Sequence, residues 1–380
     1  MTPVKQTMAQ ARVGYGDRMQ LRVAVWGTGN MGATAIRSLR AFPGLALSGV
    51  ITSTPDKVGT DAAVLAGLDD TTGILATAEA DHVIADCDAV AYMASGDIRP
   101  DDAAADIERC LRAGVHVVTP ALYSLYDPTS APAELRDRLS QAAEAGGASL
   151  FVSGVDPGWG NDALAVLAAG LCTRIDTIVC QEIFDYSTYD QPYSVRELCG
   201  FGKSLDEVPM MLLPSIPTMV WGGNVRLIGR GLGLDVDEIT EELERRPLDG
   251  PVDNVMGHFE AGTQGAFRLK VIGKVDGRPR VVIEHITRID PACAPDWPTP
   301  DQGAGDHRVI VHGDPELTIT VRADVPGGTR ADGGNTTATN RLLGALSWLA
   351  QQKPAIYDGL EVPLRSDNPP TVEAARWSAD

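Results

Sequence analysis

Positive charge is scarce in this chain of 380 residues, where 32 Lys and Arg face 51 Asp and Glu for a formal net charge of −19. Such an excess repels phosphate backbones and anionic lipids at long range. Nucleic acids and membranes are therefore not expected partners. Residues 1–20 also lack an apolar run long enough for a signal peptide or a membrane span. We expect a cytoplasmic protein with a flexible tail over residues 1–20.

Cysteine patterns that bind metals are lacking as well. The six cysteines form no C-x-x-C pair and have no nearby His at ligand spacing; they are Cys87, Cys110, Cys172, Cys180, Cys199 and Cys293. We interpret them as reduced thiols. No metal site is expected from them.

Strand-like and helix-like segments alternate between residues 21 and 155. Strands are predicted over residues 21–26, 45–51, 88–93, 115–118 and 150–153, and helices over residues 30–41, 100–113 and 132–145. Alternation of this kind is typical of an α/β fold with a doubly wound parallel sheet.

The turn after the first strand carries a glycine motif of the form G-x-G-x-x-G, which reads Gly27-Thr28-Gly29-Asn30-Met31-Gly32. The first glycine permits the sharp turn, the second lets the backbone approach a pyrophosphate, and the third allows close packing of helix on strand. The helix N-terminus then faces the negative charge. Because the motif opens a βαβ unit, it predicts a Rossmann domain over residues 21–155 that binds NAD(H) or NADP(H).

The end of the second strand usually decides between the two cofactors, through an acidic residue on the ribose 2′-hydroxyl. Here Ser53 and Thr54 follow the strand, and the acid Asp56 lies further into the loop. Both hydroxyls can donate to a 2′-phosphate, and Lys57 can supply positive charge, although Lys57 is nearly as well explained as a solvated loop residue. The sequence favours NADP(H) and leaves NAD(H) possible.

Loops at the carboxyl ends of parallel strands form the ligand crevice of such folds. Beside the cofactor we expect Ser95, Gly96, Thr119 and Pro157. Beside the substrate we expect Ala121, Leu122, Asp156, Trp159 and Asn161. Each of these turns is equally compatible with a purely structural role.

The pattern changes after residue 155. A helix is predicted over residues 161–171 and a strand over 174–184, and alternating apolar residues flank the turns Asp276-Gly277 and Gly313-Asp314, which predicts two hairpins. Residues 156–334 should therefore form an α+β substrate and dimerisation domain with a mainly antiparallel sheet. The sequence does not settle in which direction the side chains of Glu182 and Asp185 point, within and just after the predicted strand 174–184.

Three further segments complete the prediction. Residues 204–207 fit a capping box for the next helix, whereas the acidic stretch 236–243 is left unassigned. Residues 326–334 read as a loop. A strongly apolar helix over 337–351, within a C-terminal segment 335–380, is expected to pack at the junction of the two domains.

Several stretches together resemble a known family. They are Val23–Gly32, Thr54–Gly59 (T-P-D-K-V-G), Gly154–Gly158 (G-V-D-P-G), Glu284–Arg288 (E-H-I-T-R) and Ala294–Pro298. Over residues 21–365 the chain resembles the dihydrodipicolinate-reductase-like proteins, specifically the group of 2,4-diaminopentanoate dehydrogenase and the native NAD(P)H-dependent amine dehydrogenases. The resemblance implies a homodimer that reduces the imine formed from a carbonyl compound and ammonia, or oxidises the amine.

One residue expected from the resemblance is missing. The relatives place an acidic residue after the strand that corresponds to residues 115–118, whereas this chain has Thr119-Pro-Ala-Leu-Tyr123 there. The phenol of Tyr123 is then the nearest group able to donate a proton, and we name it as the candidate catalytic residue. Three hypotheses stay open: an NAD(P)H-dependent reductase or dehydrogenase for a C=O or C=N bond, a sugar-type dehydrogenase, and a catalytically silent NADP-binding sensor or partner protein.

Overall fold

Two sheets, each covered by its own helices, organise the chain. The computed structural model describes residues 20–96, 99–189 and 191–364. The predicted tail over residues 1–20 therefore lies, apart from its last residue, outside the described part of the chain.

The strands are short in the first sheet and long in the second. They are β1 (Leu21–Trp26), β2 (Leu45–Ile51), β3 (Ala76–Thr77), β4 (Ala89–Tyr92), β5 (His116–Thr119), β6 (Leu150–Val152), β7 (Arg174–Asp185), β8 (Glu238–Pro247), β9 (Val252–Asn254), β10 (Gly257–Phe259), β11 (Gln264–Val275), β12 (Arg278–Arg288), β13 (Gly305–Asp314), β14 (Leu317–Val321) and β15 (Ile356–Tyr357).

The α-helices that cover them are α1 (Asn30–Leu39), α2 (Ala62–Leu65), α3 (Ala80–Ile84), α4 (Pro100–Arg112), α5 (Ala133–Gly146), α6 (Ala163–Ala169), α7 (Ile216–Gly231) and α8 (Arg330–Leu349). Local chemistry explains several of their ends. Pro100 opens α4, where its missing N–H costs nothing. Gly147 ends α5 with φ 74°, a left-handed conformation that glycine adopts without strain. None of the helices in the described ranges is both long and apolar enough to cross a bilayer.

The first sheet is parallel throughout, with seven strands in the order β15-β6-β5-β4-β1-β2-β3. The second sheet has six strands in the order β14-β13-β7-β12-β11-β8. Only β7 and β12 run parallel among its neighbouring pairs. The prediction of a Rossmann-type parallel sheet joined to an α+β part with a mainly antiparallel sheet is confirmed. The position of the boundary near residues 155 and 156 stays a prediction.

Two local predictions are wrong, and the structure defines one stretch that the sequence left unassigned. Residues 204–207 cap no helix, because a loop and a short 3₁₀ turn at Met210–Leu212 precede α7. The acidic stretch left unassigned forms β8, which pairs with β11 at the sheet edge. Helix α8 starts within the predicted loop, where Thr329 caps it by accepting a hydrogen bond from the Asp332 backbone N–H. Tertiary pairing and capping decide these segments, and neither is visible in the apolar pattern.

Helix α8 returns the end of the chain to the first sheet. Leu342, Leu343, Leu346 and Leu349 are at most 1% exposed and pack in the core beneath α1. At the start of the helix, Thr337 accepts a hydrogen bond from the Trp159 indole N–H at 3.0 Å. The helix thus contacts both parts of the chain.

Truncation of Leu346 in this core should be costly. Leu346→Ala removes buried methyl groups and leaves a cavity, so we expect the free energy of unfolding to fall by about 2–5 kcal/mol. Leu167→Ala on α6 is the matched control, since Leu167 is 48% exposed. Denaturant melts followed by circular dichroism measure both. Equal losses in the two variants would show that α8 is not part of the core.

Candidate active site

The glycine loop between β1 and α1 has the shape of a pyrophosphate cradle. Gly27 has φ 103°, and a Cβ there would lie 2.8 Å from the Ala94 backbone N. A Cβ on Gly32 would lie 1.9 Å from the Gly27 carbonyl oxygen, whereas a Cβ on Gly29 would meet nothing within 4 Å. The outer two glycines are thus required by packing, and the middle one leaves open space at the N-terminus of α1. This arrangement fits a dinucleotide.

The loop after β2 lies beside this cradle. Thr28 and Thr52 share a hydrogen bond between their hydroxyls at 3.0 Å, and the Lys57 ammonium donates to the Thr28 carbonyl at 2.7 Å. Ser53 and Thr54 are exposed at the strand end. All three predicted 2′-phosphate contacts therefore lie in one turn next to the glycine loop: Ser53, Thr54 and Lys57.

A cleft of about 270 Å³ opens between the two sheets. Of the residues predicted from sequence, Met31, Tyr123, Asp156 and Pro157 line it. The second part of the chain contributes Glu182, Phe184, Tyr186, Tyr189 and His307, and α8 contributes Ala331, Gly334, Asn335 and Ala338. Because Met31 belongs to the glycine loop, the cleft is continuous with the cofactor cradle.

Sheet register places three titratable side chains in one row at this cleft. Glu182 on β7 lies opposite His285 of β12 on one side and opposite His307 of β13 on the other. Directly paired residues point to the same face of a sheet. Asp185, three residues after Glu182, instead accepts a hydrogen bond from the Ser187 backbone N–H at 2.8 Å. The structure thus answers the open question in favour of Glu182.

Asp156 completes the cluster from the loop after β6. Its Oδ1 accepts hydrogen bonds from the Trp221 indole and from the Asn161 amide, both at 2.6 Å, and lies 3.4 Å from His285 Nε2. Trp221 belongs to α7 and its ring centroid is 4.2 Å from that of His285. Asp156, Glu182 and His307, hereafter the cleft triad, have one ligand atom each within 4.8 Å of the others.

Burial dominates the electrostatics of the cluster. It raises the pKa of Asp156 to about 7, with the neighbouring Glu182 acting in the same direction and His285 opposing it. Burial lowers the pKa of His285. For His307 burial also acts downward, but Glu182 and Asp156 outweigh it and the pKa is raised. The cluster therefore carries excess negative charge, and protonation offsets part of that charge.

Aromatic rings form the walls of the cleft. Tyr186 and Tyr189 lie with ring centroids 4.8 Å apart, and Phe184 packs edge-on against His307 at 5.3 Å. Tyr123 is partly buried in a short 3₁₀ turn after β5, on the opposite wall. Within the described lining there is no Lys and no Arg.

The other predicted residues lie around the cleft rather than in its lining. Ala121 and Leu122 belong to the loop after β5 and are buried, at 5% and 7% exposure, and Thr119 at the end of β5 is fully buried. Trp159 packs on His307 with centroids 5.5 Å apart. Ser95 and Gly96 sit at the end of β4, where a Cβ on Gly96 would touch Ala121. Direct contact of these residues with cofactor or substrate stays a prediction.

Sequence reasoning missed His285, His307 and Trp221 as members of the site. His285 lies in the E-H-I-T-R stretch, and its place in a stretch that carries the family resemblance was the available signal. Trp221 and His307 were not selected because only the position of α7 and the register of the second sheet bring them to Asp156 and Glu182.

The chain is similar in sequence to known dehydrogenases. Residues 161–348 match the model of the 2,4-diaminopentanoate dehydrogenase C-terminal domain. The chain is 56% identical to an amine dehydrogenase from Streptomyces virginiae, over 91% of this chain and 97% of that protein. It is 24% identical to 2,4-diaminopentanoate dehydrogenase from Acetoanaerobium sticklandii, over 56% of this chain and 59% of that protein.

The fold is shared with a solved relative. The structure of amine dehydrogenase from Mycobacterium smegmatis superposes with a TM-score of 0.73 at 20% identity, covering 90% of this chain and 96% of that one. The sequence match to the Streptomyces protein shows that the chain belongs to the amine dehydrogenase family and is an NAD(P)-dependent oxidoreductase.

Proposed function

We propose that the protein interconverts a ketone plus ammonia and a primary amine, with the carboxylates of Asp156 and Glu182 holding the reacting nitrogen. The observation that carries this proposal is a pair of carboxylates with little solvent exposure, in a cleft whose described lining has no Lys and no Arg. Their side chains are 3% and 13% exposed. A cation from outside the chain is the natural counter-charge.

Amine chemistry supplies such a cation at several stages. Ammonium, the iminium formed on the ketone and the product amine all carry positive charge on nitrogen. Carboxylates in a water-poor cleft attract that charge far more strongly than they would in bulk water. Glu182 is the more accessible of the two and is positioned to accept the nitrogen's hydrogen bonds. NAD(P)H, when bound in the adjoining cradle, supplies the hydride.

The same charge selects against acidic substrates. A keto acid would bring its carboxylate beside Asp156 and Glu182 with no Lys or Arg in the described lining to receive it. Like charges held in a low-dielectric site repel strongly. We infer that the substrate is a small ketone or amine without a carboxylate, with its apolar part against Tyr186 and Tyr189.

Glu182 can replace the acidic residue that is missing from the loop after β5. That loop brings Tyr123 to one wall, and β7 brings a carboxylate to the facing wall of the same cleft. An ionised carboxylate can accept a proton from an ammonium ion. An unperturbed phenol has a pKa of about 10, so at neutral pH it still carries its own proton and cannot accept another. Glu182 therefore takes over the acid–base part, and Tyr123 remains the candidate donor to a developing alkoxide.

Loss of the Glu182 charge should reduce turnover. For Glu182→Gln we expect kcat/KM for ammonia-dependent ketone reduction to fall by about 10²–10⁴, the usual contribution of a positioned acid–base group. NADPH affinity should not change, since the glycine loop is untouched. NADPH consumption with a panel of ketones, with and without ammonium, provides the measurement.

Two companion variants sharpen this test. Glu207→Gln removes an exposed carboxylate and should leave kcat/KM unchanged. Tyr123→Phe should reduce simple carbonyl reduction more than reductive amination. If Glu182→Gln keeps wild-type activity, the carboxylate assignment is wrong. If no substrate is turned over by any of the proteins while NADPH binds, the silent NADP-binding alternative replaces the proposed activity.

We further propose a preference for NADP(H) over NAD(H). Two exposed hydroxyls, Ser53 and Thr54, and the Lys57 ammonium lie together at the end of β2. A 2′-phosphate there gains charge-assisted hydrogen bonds. Asp56 in the same turn is exposed and can turn toward solvent.

Removal of the Lys57 charge should discriminate the cofactors. For Lys57→Ala we expect the Kd of NADPH to rise about tenfold, as a lost charge-assisted hydrogen bond implies, with little change for NADH. Titration of nucleotide fluorescence gives both constants. Lys353→Ala, at an exposed position, is the control. Equal binding of NADH and NADPH by the wild type, with Lys57→Ala unchanged, would rule this preference out.

A homodimer through the second sheet is our third proposal. Helix α7 packs on one face of that sheet, with Val225 against Gly273. On the opposite face Val179 is paired with Ile310 and Val282 in an apolar row, and Val179 and Ile310 stay partly exposed. In a symmetric dimer the row of one subunit would face the same row of its partner, which suits sheet-on-sheet packing.

A charge in that row should separate the subunits. Val179→Arg is expected to convert a dimer into a monomer because the guanidinium would have to be buried unpaired. Leu167→Arg, at an exposed position of α6, is the matched control and should stay dimeric. Light scattering after size exclusion reports the mass. A wild type that is monomeric at micromolar concentration, or a Val179→Arg variant that remains dimeric, contradicts the proposal.

A further inference from the structure

One nitrogen of the cleft triad has no partner at hydrogen-bond distance. Nε2 of His307 is buried without a hydrogen-bond partner, in a residue that is 6% exposed. The nearest carboxylate oxygen, Oε2 of Glu182, lies 3.7 Å away, beyond hydrogen-bond distance. Buried polar atoms nearly always have partners. This lone nitrogen points to a ligand that the chain itself does not provide.

The donor set of the triad is that of a transition metal. Two carboxylates and an imidazole are common Zn²⁺ ligands, and a tetrahedral ion with ligands at 2.0–2.1 Å places neighbouring ligand atoms about 3.4 Å apart. The 3.7 Å between His307 and Glu182 is close to that spacing. Mg²⁺ and Ca²⁺ instead prefer oxygen ligands alone, whereas this set includes the imidazole nitrogen of His307.

We propose that the cleft triad of Asp156, Glu182 and His307 also binds one divalent transition-metal ion, Zn²⁺ or Co²⁺, which occupies the position of the amine nitrogen and inhibits the enzyme. The inference goes beyond the proposed function, because metal binding is measurable without turnover. The fourth coordination position faces the open cleft, where water completes the shell.

Groups behind the triad support this assignment. The Trp221 indole and the Asn161 amide both donate to Oδ1 of Asp156, which fixes the orientation of the carboxylate. Such outer hydrogen bonds orient metal-binding carboxylates and typically change affinity 10–100-fold. His285 lies 3.4 Å from the same Asp156 oxygen and stands as a second imidazole beside the site.

Cobalt provides a direct readout of this site. We expect Co²⁺, added to the protein without nucleotide, to give visible d–d absorption that saturates at one ion per chain and is displaced by Zn²⁺. His307→Gln and Glu182→Gln should each weaken Co²⁺ binding about tenfold or more. His258→Gln is the matched control, since His258 lies between Asp253 at 2.9 Å and Glu260 at 3.4 Å on the surface. It should bind cobalt as the wild type does.

The outcomes separate the two proposals. Absence of the d–d band in the wild type, or a band that survives His307→Gln and Glu182→Gln, overturns the metal site; circular dichroism melts verify that both variants are folded. With substrate, Zn²⁺ should raise the apparent KM for ammonium and a chelator should restore it, and an unchanged KM refutes the shared position. Normal turnover by Glu182→Gln would defeat only the proposed catalytic role, because the cobalt spectrum is recorded without turnover.

Discussion

Two neighbouring carboxylates held out of water are the constraint that shapes the cleft. Burying Asp156 beside Glu182 is costly unless hydrogen bonds or opposite charges compensate. The chain compensates with neutral dipoles, the Trp221 indole and the Asn161 amide, rather than with arginine or lysine. The negative charge is thereby positioned, and protons on Asp156 and His307, whose pKa values are both raised, offset part of it in place of an Arg or Lys. A site built in this way retains its affinity for an incoming cation, which a permanent salt bridge would have consumed.

The need to position these two carboxylates constrains several elements of the fold. Helix α7 must lie across the second sheet so that Trp221 reaches Asp156 and covers His285. Strands β12 and β13 must flank β7 in the observed register, because a shift by one residue would turn His285 and His307 to the other face. The loop after β6 carries Asp156 from the first sheet to this row. Cofactor cradle and acidic cluster thus meet because the glycine loop after β1 and the Asp156 loop after β6 leave the same end of the parallel sheet, and Asp156 then reaches the row on the second sheet.

The sequence predicts the first sheet well because its signals are local. β1 and β2 match their predicted ranges, and the glycine motif specifies a turn whose packing the structure reproduces at Gly27 and Gly32. Asp156 and Pro157 could be selected since they directly follow a predicted strand. The row of Glu182, His285 and His307 could not, because it joins three strands far apart in sequence through their register. Spacing along the chain contains no information on that pairing.

The return of β15 and α8 to the first sheet has a consequence for the order in which the protein forms. β15 pairs with β6 and α8 packs beside α1, yet both are made last. As the chain leaves the ribosome, the whole second sheet emerges before the first sheet has its final strand and its covering helix. The nucleotide-binding half therefore keeps part of its apolar core uncovered until α8 is made. Nascent chains stalled before residue 330 would therefore be the species most in need of a chaperone.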